Sequence, residues 1–385
     1  FRDNQFGFKA ILYMCRNFLL ALVLVISIAV AENMVRVFQI KHFNPALYMR
    51  YRLDDDLIYS FTPNQSTEWI TDDFDELITT NNLGFRGRNI SFTKRKDTIR
   101  VIAIGDSYTA GHGISTNEKT YPNDLEVMLN NGNPIQDKKI EVVNAGTPGY
   151  SPDQEYRLIL KRIVNLNPDI IIWNLNVWDM EDLMSVSPPL YAVKNGTLVP
   201  LSAKYNWLYL QNYLFVYVPR WIQKSYIFDL FQRTLPKIAY VMRKKLSPGE
   251  EALRAKNKLS LEIRTIHALG TKNNFRLIVT FLPYKKDERT VTADNYMRIL
   301  EEVQKDLAKD NITVVNLKEK FDEVTNPKDT IIAGADNSLN TVLGVTVTNI
   351  HSPFFPTDFH PNEAGASVIA SLIVEYMFGN NFIKE

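Results

Sequence analysis

The run TIRVIAI at 98–104 leads directly into Gly105-Asp106-Ser107-Tyr108-Thr109. A serine on a tight turn between a buried strand and a helix exposes its hydroxyl, and amides at the helix start face any negative charge that develops beside it. Such a serine occupies a nucleophile's position. Gly-Asp-Ser by itself also describes an ordinary turn or helix cap, so other residues must carry the chemistry as well. Towards the other end, Asp358 precedes His360 by two positions in Thr357-Asp358-Phe359-His360-Pro361-Asn362-Glu363-Ala364-Gly365. An aspartate there can hold one imidazole nitrogen, leaving the other to act as base towards a serine. His42, His112, His267 and His351 have no such company in the sequence. A third block, Asn144-Ala145-Gly146-Thr147-Pro148-Gly149-Tyr150, follows the apolar run at 140–143. A glycine in it lets the backbone approach a ligand and offer an amide to an oxyanion, and it equally fits a plain strand-to-helix turn.

These blocks need elements that bring strand ends together. Short β-branched runs recur at 98–104, 140–143, 169–173, 276–282 and 313–317. Helical patterns occupy 121–129, 153–164, 253–269, 295–307 and 366–377. The alternation predicts an α/β domain over 96–385, with a mainly parallel sheet covered on both faces. Ligands of such sheets sit beyond the carboxyl ends of the strands, where Ser107 falls. Residues 184–250 interrupt the alternation with the aromatic-rich NWLYLQNYLFVYVPRWIQKSYIFDLF and then RKK at 243–245. An insertion of this kind is a structural elaboration, a substrate wall, a membrane contact or a partner-binding face.

Residues 18–31, FLLALVLVISIAVA, carry no charge. As a helix they cover roughly 21 Å, short of the ~30 Å hydrocarbon core, so flanking residues must complete a span. A helix over about 10–32, with Arg16 snorkelling to a headgroup, makes residues 1–35 a transmembrane anchor. A buried core helix and a cleaved signal peptide, with Ala29 and Ala31 as the small residues, are the alternatives. Basic residues flank the run on both sides, so they do not orient it. Residues 36–95, with LDDD at 53–56 and DDFDE at 72–76, read as an extracytoplasmic connecting segment whose acidic runs are solvated surface. With 44 basic and 43 acidic residues in 385, the net charge of +1 gives no global field for nucleic acid. A single cysteine, Cys15, excludes a disulfide framework and a cysteine-built zinc site.

In this order, RVIAIGDSYTAGHG, NAGTPGYSPDQEY, the PDIII stretch and DFHPNEAGASVIA resemble the GDSL or SGNH hydrolase family. NNLGFRGRN upstream is similar to a membrane-anchored bacterial subgroup of it. The resemblance implies a three-layer α/β/α sandwich of the SGNH, flavodoxin-like type. It also implies Ser107 as nucleophile, His360 as general base and Asp358 as its orienting carboxylate. The amides of Ser107 and Gly149 would serve the oxyanion, and no metal or organic cofactor is required. The family's third block ends in Gly-x-Asn-Asp, whose Asn side chain is a third oxyanion donor. Counting from Pro168-Asp169 puts Trp178 at that Asn position. Asn176, two residues earlier on the same strand face, is the expected substitute, with Asn174 as the other candidate. If neither serves, loss of that donor costs about 10² to 10³ in rate. The spacing Asp358-Phe359-His360 is also one residue shorter than the family's commonest Asp-x-x-His.

The leading expectation is a membrane-anchored, single-pass serine esterase or acyltransferase. Its main domain would be extracytoplasmic, periplasmic in a Gram-negative source, and would act on O-acyl groups of a surface glycan or lipid through an acyl-enzyme. The expected partners are the lipid bilayer, an acylated glycan or lipid, other membrane subunits in one version, and no nucleic acid. Trp178 and the aromatic insertion motivate an alternative, a catalytically impaired member that scaffolds a membrane complex. A third reading is a sugar-binding module that holds its ligand without transforming it.

Overall fold

The computed structural model describes residues 2–38, 50–132, 138–186, 189–205, 209–210, 217–219, 222, 225–228, 230, 234, 247–287, 289–325 and 352–383. Much of the aromatic stretch, the basic triplet at 243–245, His42 and His351 lie outside the described residues. The chain forms two compact units. One comprises residues 1–45 and 214–242, the other 46–213 and 243–385.

In the first unit, helix α1 (Arg2–Phe38) extends beyond the expected 10–32 at both ends. Its stretch Cys15–Met34 is long and apolar enough to cross a membrane, and none of it is buried. At 1.5 Å per residue those 20 residues cover roughly 30 Å. The Glu32 carboxylate near the end of α1 accepts from Ser225 Oγ at 2.7 Å, Tyr226 N at 2.7 Å and Ile227 N at 3.1 Å.

The larger unit begins with two antiparallel hairpins, where the sequence showed no periodicity. Strands β1 (Tyr51–Asp54) and β2 (Ile58–Phe61) form the first, β3 (Ser66–Ile70) and β4 (Asp75–Thr79) the second. Each strand has only four or five residues, too short for alternation to register above composition. The following elements are β5 (Thr98–Ile104), α2 (Ser107–Ala110), α3 (Tyr121–Asn131), β6 (Lys139–Asn144), α4 (Pro152–Leu158), β7 (Ile170–Leu175) and α5 (Trp178–Glu181). A small hairpin, β8 (Tyr191–Lys194) and β9 (Thr197–Pro200), stands at the start of the expected insertion. Then come α6 (Pro248–Asn273), β10 (Arg276–Phe281), α7 (Thr290–Ala308), β11 (Val314–Asn316), α8 (Lys318–Thr325) and α9 (Glu363–Gly379).

Five strands pair in parallel in the order β11-β10-β7-β5-β6. Read from the other edge, the second strand lies outside the first and the rest follow on its other side, the order of flavodoxin-like sheets. The sheet is buried on both faces, as continuous runs such as IIIWNL in β7 require. Ile102, Ile104, Ile171, Trp173, Val279 and Phe281 pack with residues of α6 and α7 on one face. Val101, Ala103, Ile170, Ile172 and Ile278 pack with residues of α3 and α9 on the other. This is the expected α/β arrangement of a central parallel sheet between helical layers.

Local sequence signals fix the helix ends. Ser247 caps α6 through a reciprocal arrangement with Glu250, Pro248 is its first residue, and Asn274 ends it in the left-handed region at φ 57°. The Asn362 side chain accepts from Gly365 N at 3.1 Å and starts α9 two residues after His360.

Candidate active site

The chain reverses direction across the sheet at β5, with β6 on one side and β7 on the other, and the loops leaving these three strands meet at their carboxyl ends. Ser107 follows β5, the 144–150 turn follows β6 and Asn176 follows β7. Such a switch point opens a crevice that helices do not cover. Asp106 turns the chain out of β5 and caps α2, accepting Tyr108 N at 3.0 Å, which leaves Ser107 partly exposed as the first helical residue.

The structure brings the three residues expected to do the chemistry into one line. His360 Nε2 lies 2.7 Å from Ser107 Oγ, and His360 Nδ1 lies 2.5 Å from Asp358 Oδ1. Asp358 Oδ1 also accepts the His360 backbone N–H at 2.8 Å, so the short Asp-x-His spacing closes on itself. Burial alone would raise the Asp358 carboxyl, but the imidazoles of His112 and His360 overcome it and hold the group well below the usual carboxylate range. Burial lowers His360, against the opposing pull of Asp358, and the charge of His112 adds to the lowering. The ring is therefore poised neutral, protonated on the nitrogen that faces Asp358 and accepting at the one that faces Ser107.

The loop that carries Asp358 and His360 is held from three directions. Lys285 Nζ, beyond the end of β10, donates to Phe355 O at 2.7 Å, Pro356 O at 2.7 Å and Asp358 O at 3.2 Å. Tyr108 Oη donates to Phe359 O at 3.0 Å. Asp73, in the turn of the second hairpin, accepts from Thr357 N at 2.8 Å and Thr357 Oγ1 at 2.5 Å. The acidic run at 72–76 thus reaches the site, and two of its members have partners there instead of being solvated surface. Glu76 is fully buried, accepting from Arg50 Nη1 at 2.9 Å and Gly113 N at 2.9 Å.

His112 is the residue that sequence reading missed. Its Nε2 lies 3.7 Å from Asp358 Oδ2 and its ring centroid 4.3 Å from that of His360. Trp69 and Phe74 of the second hairpin meet the His112 ring edge-on at 5.0 and 5.2 Å. Its place five residues after Ser107, just beyond α2, is the signal that could have found it. His112, Asp358 and His360 also offer metal-binding atoms within 4.8 Å of one another. An ion there would compete with the Asp358–His360 hydrogen bond, so the arrangement fits a proton relay better than a metal centre.

The upstream NNLGFRGRN motif acts on the same region. Arg86 is buried, and its Nη1 donates to Ala110 O at 3.1 Å and Gly111 O at 2.6 Å. Its Nη2 donates to Ile114 O at 2.8 Å and Leu77 O at 3.2 Å, and its Nε to Asn117 Oδ1 at 2.9 Å. Burial brings the guanidinium down to about 10, the Glu76 charge opposing the shift. One side chain therefore ties the end of α2 to the β4 strand.

On the other side of Ser107, Gly146 packs against α2 so closely that an added Cβ would lie 2.3 Å from Ala110 N. Gly149 is exposed at φ +76°, a conformation that favours glycine. Among the described residues, no protein group accepts the amide of Ser107 or of Gly149. Asn174 is fully engaged, donating to Ile104 O at 2.9 Å and accepting from Thr280 Oγ1 at 2.8 Å, so it supports the sheet. Asn176 faces the site. Its Nδ2 donates to Asp106 Oδ2 at 2.9 Å, and that oxygen lies 3.3 Å from Ser107 Oγ. Its Oδ1 accepts Trp178 N at 2.8 Å, which fixes the amide with its NH2 towards Asp106. The register count that put Trp178 in this position is corrected, because β7 ends at Leu175 and the chain turns immediately. Trp178 begins α5 instead, its ring between Phe359 and Tyr296 at 6.1 and 6.3 Å with the Arg289 guanidinium 4.7 Å above it.

No family model matches the chain, and no curated protein matches it. Among solved structures it is similar to a two-domain esterase active on acetylated mannans, at 13% identity and TM-score 0.37, covering 73% of this chain and 49% of that one. The chain thus spans about half the length of that esterase. It is similar to a catalytic variant of an acetylxylan esterase from Geobacillus stearothermophilus at 14% identity and TM-score 0.37, covering 72% and 93%. A GDSL-like lipase from Bacteroides thetaiotaomicron aligns at 12% identity and TM-score 0.34, covering 76% and 93%.

Proposed function

We propose that the chain is a serine ester hydrolase working through an acyl-enzyme. The observation that carries this reading is the line from Asp358 through His360 to Ser107 at 2.5 and 2.7 Å, at the open end of a parallel sheet. Ser107 Oγ gives its proton to His360 Nε2 as it attacks the ester carbonyl. Asp358 steadies the imidazolium that forms without taking the proton itself. The charge on the carbonyl oxygen is met by the amides of Ser107 and Gly149 and by the second N–H of Asn176. His360 then protonates the leaving alcohol. Water, or an acceptor hydroxyl in a transferase version, resolves the acyl-enzyme by the reverse proton path.

The apolar stretch Cys15–Met34 supports a membrane anchor, and in this reading the catalytic unit would stand on the extracytoplasmic side. From that position the substrates would be O-acyl groups on a surface glycan or lipid. Hydrolysis of a small chromogenic acetyl ester by the full chain and by Ser107→Ala tests the reading. Loss of turnover in the variant supports it, and equal rates eliminate it.

A further inference from the structure

We infer that residues 214–242 make a second membrane contact, lying in the headgroup layer of an anionic bilayer and fastened to the end of α1 by Glu32. The contact rests on the reading of α1 as an anchor and adds to it the segment that stands beside the anchor at the bilayer surface. The chain leaves the catalytic unit after Tyr213, clusters with α1 from Leu214 to Met242 and rejoins the catalytic unit at Arg243. Within the smaller unit, Glu32 accepts from Ser225 Oγ at 2.7 Å and from the amides of Tyr226 and Ile227 at 2.7 and 3.1 Å. Ser225 Oγ in turn accepts Phe228 N at 3.2 Å, which opens the helical turn 226–228. Glu32 stands two residues before the end of Cys15–Met34, roughly 3 Å along the helix axis. These contacts therefore fix residues 225–227 at the level where the apolar stretch ends. A carboxylate at that level is costly unless it is paired, and its three donors make it tolerable.

The residue types of the segment match that level. Residues 214–242 hold seven aromatic residues and four basic ones against a single acid, Asp229, and the basic triplet 243–245 follows directly. Aromatic rings settle at the headgroup level of a bilayer, and long basic side chains lay their stems along apolar surface with their charged heads at the phosphates. Anionic lipid is the matching chemistry, and the chain's net charge of +1 conceals this local excess. The segment lies on the bilayer instead of crossing it. Pro219 and Pro236 break it, and Arg220, Lys224, Asp229 and Arg233 leave no run approaching the ~20 apolar residues of a span. Where they are described, large side chains point outward, Tyr217 at 66% and Leu230 at 38% exposure. Such residues are unfavourable on a surface bathed in water and favourable against lipid.

Depth-dependent fluorescence quenching on the full chain tests the contact. In a Cys15→Ser background, Leu24→Cys on α1 and Leu230→Cys on the segment are each labelled with a small fluorophore. The labelled proteins are reconstituted in vesicles of phosphatidylcholine and phosphatidylglycerol. Spin-labelled lipids then quench from mid-chain or from the headgroup, and iodide quenches from water. The Leu24 position should respond to the mid-chain quencher. The Leu230 position should respond to the headgroup quencher, be shielded from iodide, and lose much of that response in vesicles of phosphatidylcholine alone. If Leu24 responds while Leu230 is open to iodide and untouched by either lipid quencher, the anchor stands and the contact is overturned, leaving the face for a protein partner. A Leu230 response at mid-chain, or one indifferent to phosphatidylglycerol, overturns the seating among anionic headgroups. If Leu24 does not respond and Leu230 does, the contact stands and the anchor reading fails. If neither responds to lipid, both fail. Glu32→Ala should remove the headgroup response at Leu230 and keep the mid-chain response at Leu24. An unchanged Leu230 response in that variant overturns the fastening by Glu32.

Discussion

His112 Nε2 lies 3.7 Å from Asp358 Oδ2, the carboxylate oxygen that His360 does not use, so one aspartate stands between two imidazoles. The charge of His112 is one of the influences that lower His360. A lowered base stays neutral further into acid, so activity should extend below the pH set by an unperturbed imidazole. His112→Gln removes that charge, and the acid limb of kcat/KM should move to higher pH. An unmoved limb would separate His112 from the relay.

Asp358→Asn keeps the shape of the loop but reverses the hydrogen bond to His360 Nδ1, so the ring presents its proton to Ser107 instead of a lone pair. The expected fall in kcat is about 10⁴, measured with the acetyl ester under saturating conditions. Circular dichroism should be unchanged, because Lys285, Tyr108 and Asp73 still hold the loop. A fall of less than tenfold would mean that Asp358 does not orient the base.

Asn176→Ala should lower kcat by about 10² to 10³ while KM changes little, as expected for a donor used mainly in the transition state. Trp178→Phe should leave kcat near wild type, since its ring packs on Phe359 and Tyr296 and its backbone N–H still fixes Asn176. The opposite ranking of the two variants would restore Trp178 to the oxyanion position.

Much of this arrangement is legible in the residues. The β-branched runs ending at Ile104, Val143 and Trp173 announce parallel strands, and Ser107, Asp358 and His360 can be picked out from residue type and spacing. Asn176 is legible as the substitute two residues before the counted position, but the orientation of its amide is not, because only the turn directly after Leu175 sets it against Asp106. The hairpins of 51–79 escape detection because strands of four or five residues are too short for a period to register. His112 is silent for a different reason. Its partner is Asp358, nearly the whole domain away in sequence, so no local pattern records the pairing.

Arg86 explains why an arginine in the upstream motif matters to a serine twenty-one positions later. Its buried guanidinium holds five acceptors on α2, β4 and their loops. Arg86→Met should destabilise the fold by about 3 to 5 kcal/mol, because it leaves those carbonyls and part of Glu76 uncompensated. Urea unfolding should show a lower midpoint with an unchanged slope. A loss under about 1 kcal/mol would mean that water replaces the guanidinium at little cost.

The account stands on Ser107 being a nucleophile activated by His360. The most direct measurement is mass spectrometry of the full-length protein after reaction with a fluorophosphonate. It should find one adduct, on Ser107, formed in step with the loss of ester hydrolysis and absent from folded His360→Ala. A folded wild-type protein that leaves Ser107 unlabelled, or labels equally without His360, would contradict the account.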